Sequence, residues 1–354
     1  MNLPIVNSYT SWARLEEVWL GDVYPASWYD HLSSEVRDCF YEITEKTKED
    51  LAIIQHKLEE LGVNVVRPQY SNIDDFVDPR GYLRKPQITP RDEFIVYGNT
   101  LLGSVDKNSP WNHALSRYRQ DKQVYIDFPP RLDSLRHICG ANTVRAGKDL
   151  YLDVFHNNAT GSREQQTNEV VEKISPLWPN SRLHLLSNGG HVDSCFAAAK
   201  PGLLITSKYF DDYDRTFPNW GKLNITEPEF FNQRHAAFRA GPQSNGKWYM
   251  SGMADKHAFQ QHVIQHALDW VGDYTETFFE VNCLSVDEKN ILMLGENENV
   301  AAELERQGIT VHWLPFRTRT FWDGGLHCLT LDIRRQDSAE DLFPERQQQY
   351  YHYD

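Results

Sequence analysis

The 354-residue chain has few cysteines, and none are spaced to act together: Cys39, Cys139, Cys195, Cys283 and Cys328 are odd in number, far apart and never in a Cys-x-x-Cys pair. Neither a disulfide framework nor a zinc knuckle is expected, and free thiols suit a reducing cytoplasm. No apolar stretch follows Met1 and no run approaches the ~18 apolar residues of a membrane span. The expectation is therefore an unprocessed, soluble, cytoplasmic protein with no membrane partner. Positive charge is also scarce: 36 Lys and Arg stand against 50 Asp and Glu, a formal net charge of -14. That balance argues against nucleic acid as a partner, because phosphate binding needs a basic surface. A cationic small substrate is electrostatically welcome, although acidic charge also serves simply to keep a protein dissolved. No Pro/Gly/Ser-rich linker or low-complexity segment divides the chain, so residues 1–354 read as one domain with 68–90 and 207–260 as long, loop-rich connections.

What the chain does have is repetition, with 40% hydrophobic residues to build a full core. Ser11 to Gly21 reads as a short strand, and the helical spacing of Val36, Phe40, Ile43, Leu51, Ile54 and Leu58 predicts a long helix from about Ser33 to Leu61. Gly62 stops it, and Val63 to Val66 is then a strand closed by Pro68. The same helix, glycine, strand and proline recur from Leu304 through Gly308 to Pro315, and a weaker copy runs from Glu164 to Leu186. Hairpin patterns, an apolar strand on each side of a turn, recur at 92–103, 195–206 and 283–294. Hairpins alternating with helix-strand units suggest modules that close around a common centre, as propellers do.

Three kinds of residue could carry chemistry. Asp323-Gly-Gly-Leu-His-Cys328-Leu-Thr-Leu-Asp-Ile-Arg-Arg335 presents Cys328 at a glycine turn that enters a strand. A free cysteine is more often a small buried hydrophobe than a nucleophile, so its surroundings must decide. The second is Asn188-Gly-Gly-His191-Val-Asp193-Ser-Cys195, where an extended chain would put His191, Asp193 and Cys195 on one face. These are also metal-ligand types, but no second ligand pair with metal spacing accompanies them, so no metal is expected. Third, Asp92 and Asp149 each open an apolar strand, a position where aspartate often serves only as a turn former. If the modules are related by rotation, Asp92, Asp149, His191 with Asp193, and Cys328 meet at one end of the axis.

Taken in order, Leu15-Glu-Glu-Val-Trp-Leu-Gly21, Pro90-Arg91-Asp92, Arg145-Ala-Gly-Lys-Asp149, His191-Val-Asp193 and the run from Gly324 to Arg335 resemble the motifs of the arginine amidinotransferases, the glycine and inosamine-phosphate amidinotransferase family. The resemblance spans about residues 10 to 335. It implies a five-module α/β propeller of the pentein type, with the active site on its pseudo-fivefold axis, and a catalytic Cys328, His191 and Asp149. It further implies that Asp92 and Asp193 hold a guanidinium, with Asn188 also lining the substrate site. The family's donor-carboxylate arginine falls here near Phe210, with Lys208 and Arg215 close by; Arg215 is the residue taken forward for that role. His327, adjacent to Cys328 on a strand, should point away from it.

The implied activity is L-arginine:glycine amidinotransfer by a ping-pong route. Cys328 attacks the guanidino carbon, ornithine leaves, and a small amine, glycine first, takes the amidino group to give guanidinoacetate. The alternatives are a guanidine hydrolase giving citrulline and a binding protein that has lost turnover. Arginine and an amine are the expected partners, with no cofactor and no metal; a homodimer is allowed for.

Overall fold

The computed structural model describes residues 6–103, 108–119, 125–127, 138–154, 162–187, 191–207, 213–225, 253, 255–272, 280–295, 297–322 and 324–353. The first strand, β1 (Leu15–Leu20), lies parallel to β2 (Asn64–Val66). Between them runs α1 (Ser34–Glu60), whose apolar stripe of Val36, Phe40, Ile43, Leu51, Ile54 and Leu58 is buried as the 3.6-residue period requires. Gly62 ends it in the left-handed region, at φ 81°, and Gly308 ends the later copy of the unit at φ 76°.

Three sheets then repeat one plan, an antiparallel hairpin with a third strand added parallel to its second. They are β3 (Phe94–Tyr97), β4 (Thr100–Gly103) and β5 (Tyr125–Asp127); β6 (Thr143–Ala146), β7 (Asp149–Asp153) and β8 (Arg182–Leu186); and β9 (Phe196–Lys200), β10 (Leu203–Thr206) and β11 (Gly221–Asn224). A fourth follows, with β12 (Leu284–Asp287), β13 (Asn290–Leu294) and β14 (Thr310–Leu314). The fifth sheet joins the chain's two ends: β15 (Thr330–Arg335) pairs antiparallel with β1 and so supplies the hairpin partner that β1 and β2 lack. The three hairpins and the three helix-strand repeats expected from sequence all fall into this plan.

The leading strands face one another. β15 touches β3, β6 touches β9, β9 touches β12 and β12 touches β1, while the turn before β6 reaches β3 and closes the remaining gap. Leading strands are accordingly buried on both faces, as in Phe94–Tyr97 and Thr143–Ala146, whereas the trailing strands β2 and β11 are exposed or half-buried. Among the described residues, then, five sheets form a ring.

At the centre of the ring is an ion cluster rather than hydrocarbon. Asp332, fully buried, accepts from Arg91 Nη2 at 2.5 Å, Arg335 Nε at 2.7 Å and Arg145. Burial alone would raise this carboxyl; Arg145, Arg91 and Arg335 outweigh it and hold Asp332 well below the usual range. Arginines from three motifs thus serve as a hub that fixes β3, β6 and β15 against each other. The C-terminal segment is also structural: β16 (Tyr350–His352) adds a fourth strand beside β8. No helix among the described residues is long and apolar enough to cross a membrane.

Candidate active site

Each leading strand is entered through a short turn, and the turns gather. Pro90–Asp92 precedes β3, Gly140–Asn142 with Cys139 as its N-cap precedes β6, and Val192–Ser194, led by His191, precedes β9. The first of these touches the second and β15, and the second touches the third. Asn282 and Cys328 stand two residues before β12 and β15. Each of the five sheets therefore sends one or two side chains to the same place from the turn that precedes its leading strand.

Cys328 is buried at 6% exposure and held from several sides. Asn282 Nδ2 donates to its Sγ at 3.0 Å, and Asn282 Oδ1 accepts from the Cys328 backbone N–H at 3.0 Å. The Cys328 thiol points at Asp193 Oδ2, 3.4 Å away, and the same oxygen accepts from His327 Nδ1 at 2.7 Å. Gly325 allows this closeness, since a Cβ there would lie 2.7 Å from the Asn282 side chain. His191 faces a second thiol, with Cys139 Sγ 3.9 Å from Nε2, and Cys139 in turn bonds Asn142 Oδ1 at 3.2 Å. One ligand atom each of Asp92, Cys139 and His191 lies within 4.8 Å of the other two.

Two carboxylates here are incompletely paired. Asp92 Oδ1 and Asp193 Oδ1 are buried without a hydrogen-bond partner among the described residues, a rarity that normally marks a ligand, a water or a function. A cavity of about 20 Å³ lined by Asp193 and His327 has room for one water, so Asp92 is the sharper case. Burial raises Asp92 above the ordinary carboxylate value, against the pull of His191 and Lys85. Asp193 is lowered, because His327, His191 and Arg91 together outweigh burial. Burial lowers His191, but Cys139, Asp92 and Asp193 reverse it and leave the imidazole well above its usual value. Cys328 is pushed well up, first by burial and then by Asp193 and Asp92, with Asn282 opposing. His327 falls to about 4 through burial and Arg91, so its contact with Asp193 is a neutral N–H donating to a carboxylate.

Several expected positions need correction. Asp149 does not reach His191: its oxygens take Arg182 at 2.6 and 3.1 Å, His184 at 2.5 Å and Arg346 at 2.9 Å. The reason is register. Ala146 pairs with Asp149 across a hairpin that leads away from the turn before β6, so Asp149 lies at its far end. Arg215 is exposed and occupied with the C-terminal strand, donating to His352 O at 2.8 Å and lying over the Tyr353 ring. Residues 326–329 form a turn, not a strand, so His327 does not alternate away from Cys328 but shares Asp193 with it. His191 to Cys195 is likewise not extended, and Cys195 Sγ lies over the His191 carbonyl. Asn188, Lys208 and Phe210 lie outside the described residues.

Sequence reasoning missed Cys139 and Asn282. Their signal was positional: both stand just before a leading strand, as Asp92 and Cys328 do. Asp149 opens the second strand of its hairpin and never had that placement.

No family model matches the sequence. Among curated proteins the chain is similar to a mitochondrial glycine amidinotransferase of Gallus gallus, 23% identical over 67% of this chain and 47% of that protein. The chain thus spans about half the length of that relative. It is also similar to inosamine-phosphate amidinotransferase 1 of Streptomyces glaucescens, 23% identical over 96% of this chain and 99% of that one. Among solved structures, SxtG, an amidinotransferase of the saxitoxin biosynthetic pathway from Microseira wollei, matches with a TM-score of 0.66 at 21% identity, covering 96% of this chain and 99% of the other. Inosamine-phosphate amidinotransferase StrB1 from Streptomyces griseus matches with a TM-score of 0.64 at 19% identity, covering 96% and 99%. The chain has the pentein-type fold of these proteins, and the resemblance to the amidinotransferase family extends over nearly its whole length.

Proposed function

We propose that this chain is an amidinotransferase that moves the amidino group of L-arginine, through a covalent adduct on Cys328, to a small primary amine, with glycine the first acceptor to try. The observation that carries the reading is the open oxygen of Asp92, next to a second acid, Asp193, and a buried thiol. A buried acceptor without a partner costs about 1–3 kcal/mol, and a planar cation that donates from several N–H groups satisfies it. A guanidinium is such a cation.

Its arrival would also change the thiol. Cys328 is raised partly by the two acids; a bound positive charge offsets them and favours the thiolate, with Asp193 Oδ2 placed to accept the thiol proton and Asn282 Nδ2 to donate to the anion. Cys328 Sγ then bonds to the guanidino carbon. His191 in its protonated form gives its proton to the departing nitrogen as the C–N bond breaks, and ornithine leaves. The acceptor amine yields a proton to the neutral His191, attacks the amidino carbon and expels the Cys328 thiolate. Cys139 stands where the carboxylate partner of His191 was expected, and it holds the imidazole against the turn before β6.

Arg215 being engaged by the C-terminal segment, the donor's α-carboxylate needs another cation. Lys85, whose charge reaches Asp92, lines a recess of about 430 Å³ together with Glu93 and Arg84 and is the residue offered for that role. The test is product analysis with L-arginine, with and without glycine or hydroxylamine. Ornithine formed only when an amine is present supports transfer. Citrulline formed without an amine would assign the protein as a hydrolase, and untouched arginine would exclude both.

A further inference from the structure

We propose that Asp92, Cys139 and His191 form a binding site for a thiophilic divalent cation of the zinc class, and that its occupation shuts off the Cys328 centre. One carboxylate oxygen, one sulfur and one imidazole nitrogen, all within 4.8 Å of each other, converge from two adjacent turns and the start of a third element. Zn–S of about 2.3 Å and Zn–N of about 2.0–2.1 Å at a tetrahedral angle put sulfur and nitrogen about 3.6 Å apart. The observed Cys139 Sγ to His191 Nε2 distance of 3.9 Å closes to that with a small side-chain rotation. Soft sulfur and borderline imidazole favour zinc-class ions over magnesium or calcium.

A second, independent observation points the same way. Asp92 Oδ1 is buried with no hydrogen-bond partner among the described residues, so a metal bond there displaces nothing. Cys139 gives up only a weak S–H bond to Asn142 Oδ1, which keeps the Cys139 backbone N–H at 3.0 Å. Coordination takes the thiolate of Cys139 and the neutral form of His191, with the released protons passing to solvent, so affinity rises with pH. Three protein ligands leave the fourth tetrahedral position to solvent. The ion is an inhibitor and not a cofactor: it occupies the acid offered to the guanidinium and the imidazole offered as proton donor. That consequence, though not the binding itself, rests on the function proposed above.

Cobalt(II) alone is the probe, added to the full-length chain under a phosphine reductant. The expected result is one ion per chain with a sulfur-to-cobalt absorption in the near ultraviolet. That band should vanish in Cys139→Ser, persist in Cys328→Ser, and need at least about tenfold more cobalt in His191→Ala. Absence of the band in the wild-type chain, or its loss in Cys328→Ser, would overturn the assignment; the second result stands even if Cys139→Ser fails to fold. Zinc(II) should block ornithine release, with recovery on adding EDTA. A chain that binds cobalt through Cys139 yet never consumes arginine would refute the transfer reaction and leave the metal site intact.

Discussion

Asp332 meets three guanidinium groups at the centre of the ring, whereas Asp92, supplied by the same turn that sends Arg91 to that hub, keeps a buried oxygen with no partner among the described residues. Adjacent residues thus go to opposite tasks. Arg91 closes the scaffold, and Asp92 is left open beside the reactive thiol. Asp149 belongs with Asp332: it too is fully buried and faces two guanidinium groups, Arg182 and Arg346, with the ring of His184, which burial lowers to about 4, as a further hydrogen-bond partner. The two fully buried acids saturated by arginines hold the scaffold, whereas half-buried Asp92, whose enclosed oxygen lacks a partner among the described residues, is the place where a cation can come from outside.

Substitutions can break that contrast, and the largest effect is expected at the sulfur. Cys328→Ala should lower kcat by about 10⁴-fold or more, as loss of a nucleophile does, with an unchanged melting temperature by circular dichroism. Asp332→Asn should do the reverse: it strands three buried guanidinium groups and should cost about 3–5 kcal/mol of unfolding free energy in urea titration. Asp149→Asn should behave like Asp332→Asn, with a loss of about 3 kcal/mol and a pH–rate profile that keeps its shape. A profile that lost the limb belonging to His191 would return Asp149 to the catalytic set. Asp92→Asn should lower kcat/KM for arginine by about 10²–10³-fold without loss of stability.

The smallest expected effect concerns acid. Asp332 sits well below its ordinary value, so its contribution to stability is complete above a pH of about 4 and is lost as the pH falls through its depressed native value. Asp92 is shifted upward by burial, and the sign reverses: charged at neutral pH it costs stability, and protonation relieves that cost. Asp92→Asn should therefore be more stable than the parent by about 1 kcal/mol near neutral pH, and the difference should fade as the pH falls to about 4. Denaturant midpoints across that range would show it, and a difference that grew on acidification would contradict it.

The periodic parts of the structure were legible in the sequence because their physics is local. Long apolar stripes, glycine stops and hairpin turns announce α1, the repeated helix-strand units and three of the leading hairpins. The pairing of β15 with β1 is a contact between residues some 300 positions apart, and no local pattern carries it. Cys328, His191, Asp92 and Asp193 were found because glycines or short apolar strands frame them. Cys139 escaped because nothing local marks the turn before β6, whose strand carries a buried Arg145 that only its distant partner Asp332 explains. Asp149 was misplaced for the complementary reason: nothing in an alternating hairpin tells which end of it faces the site. His327 shows a third limit, since residues before a strand need not share its alternation.

The most direct measurement is the mass of the protein after incubation with L-arginine and no acceptor amine, followed by peptide mapping. The expected result is one amidino group on the peptide bearing Cys328, with an equal amount of ornithine in solution, neither in Cys328→Ala, and both formed about 10²–10³-fold more slowly in Asp92→Asn. An unmodified protein in the presence of intact arginine, or an adduct that forms as readily in Asp92→Asn, would contradict the claim that the open carboxylate exists to hold the carbon that Cys328 attacks.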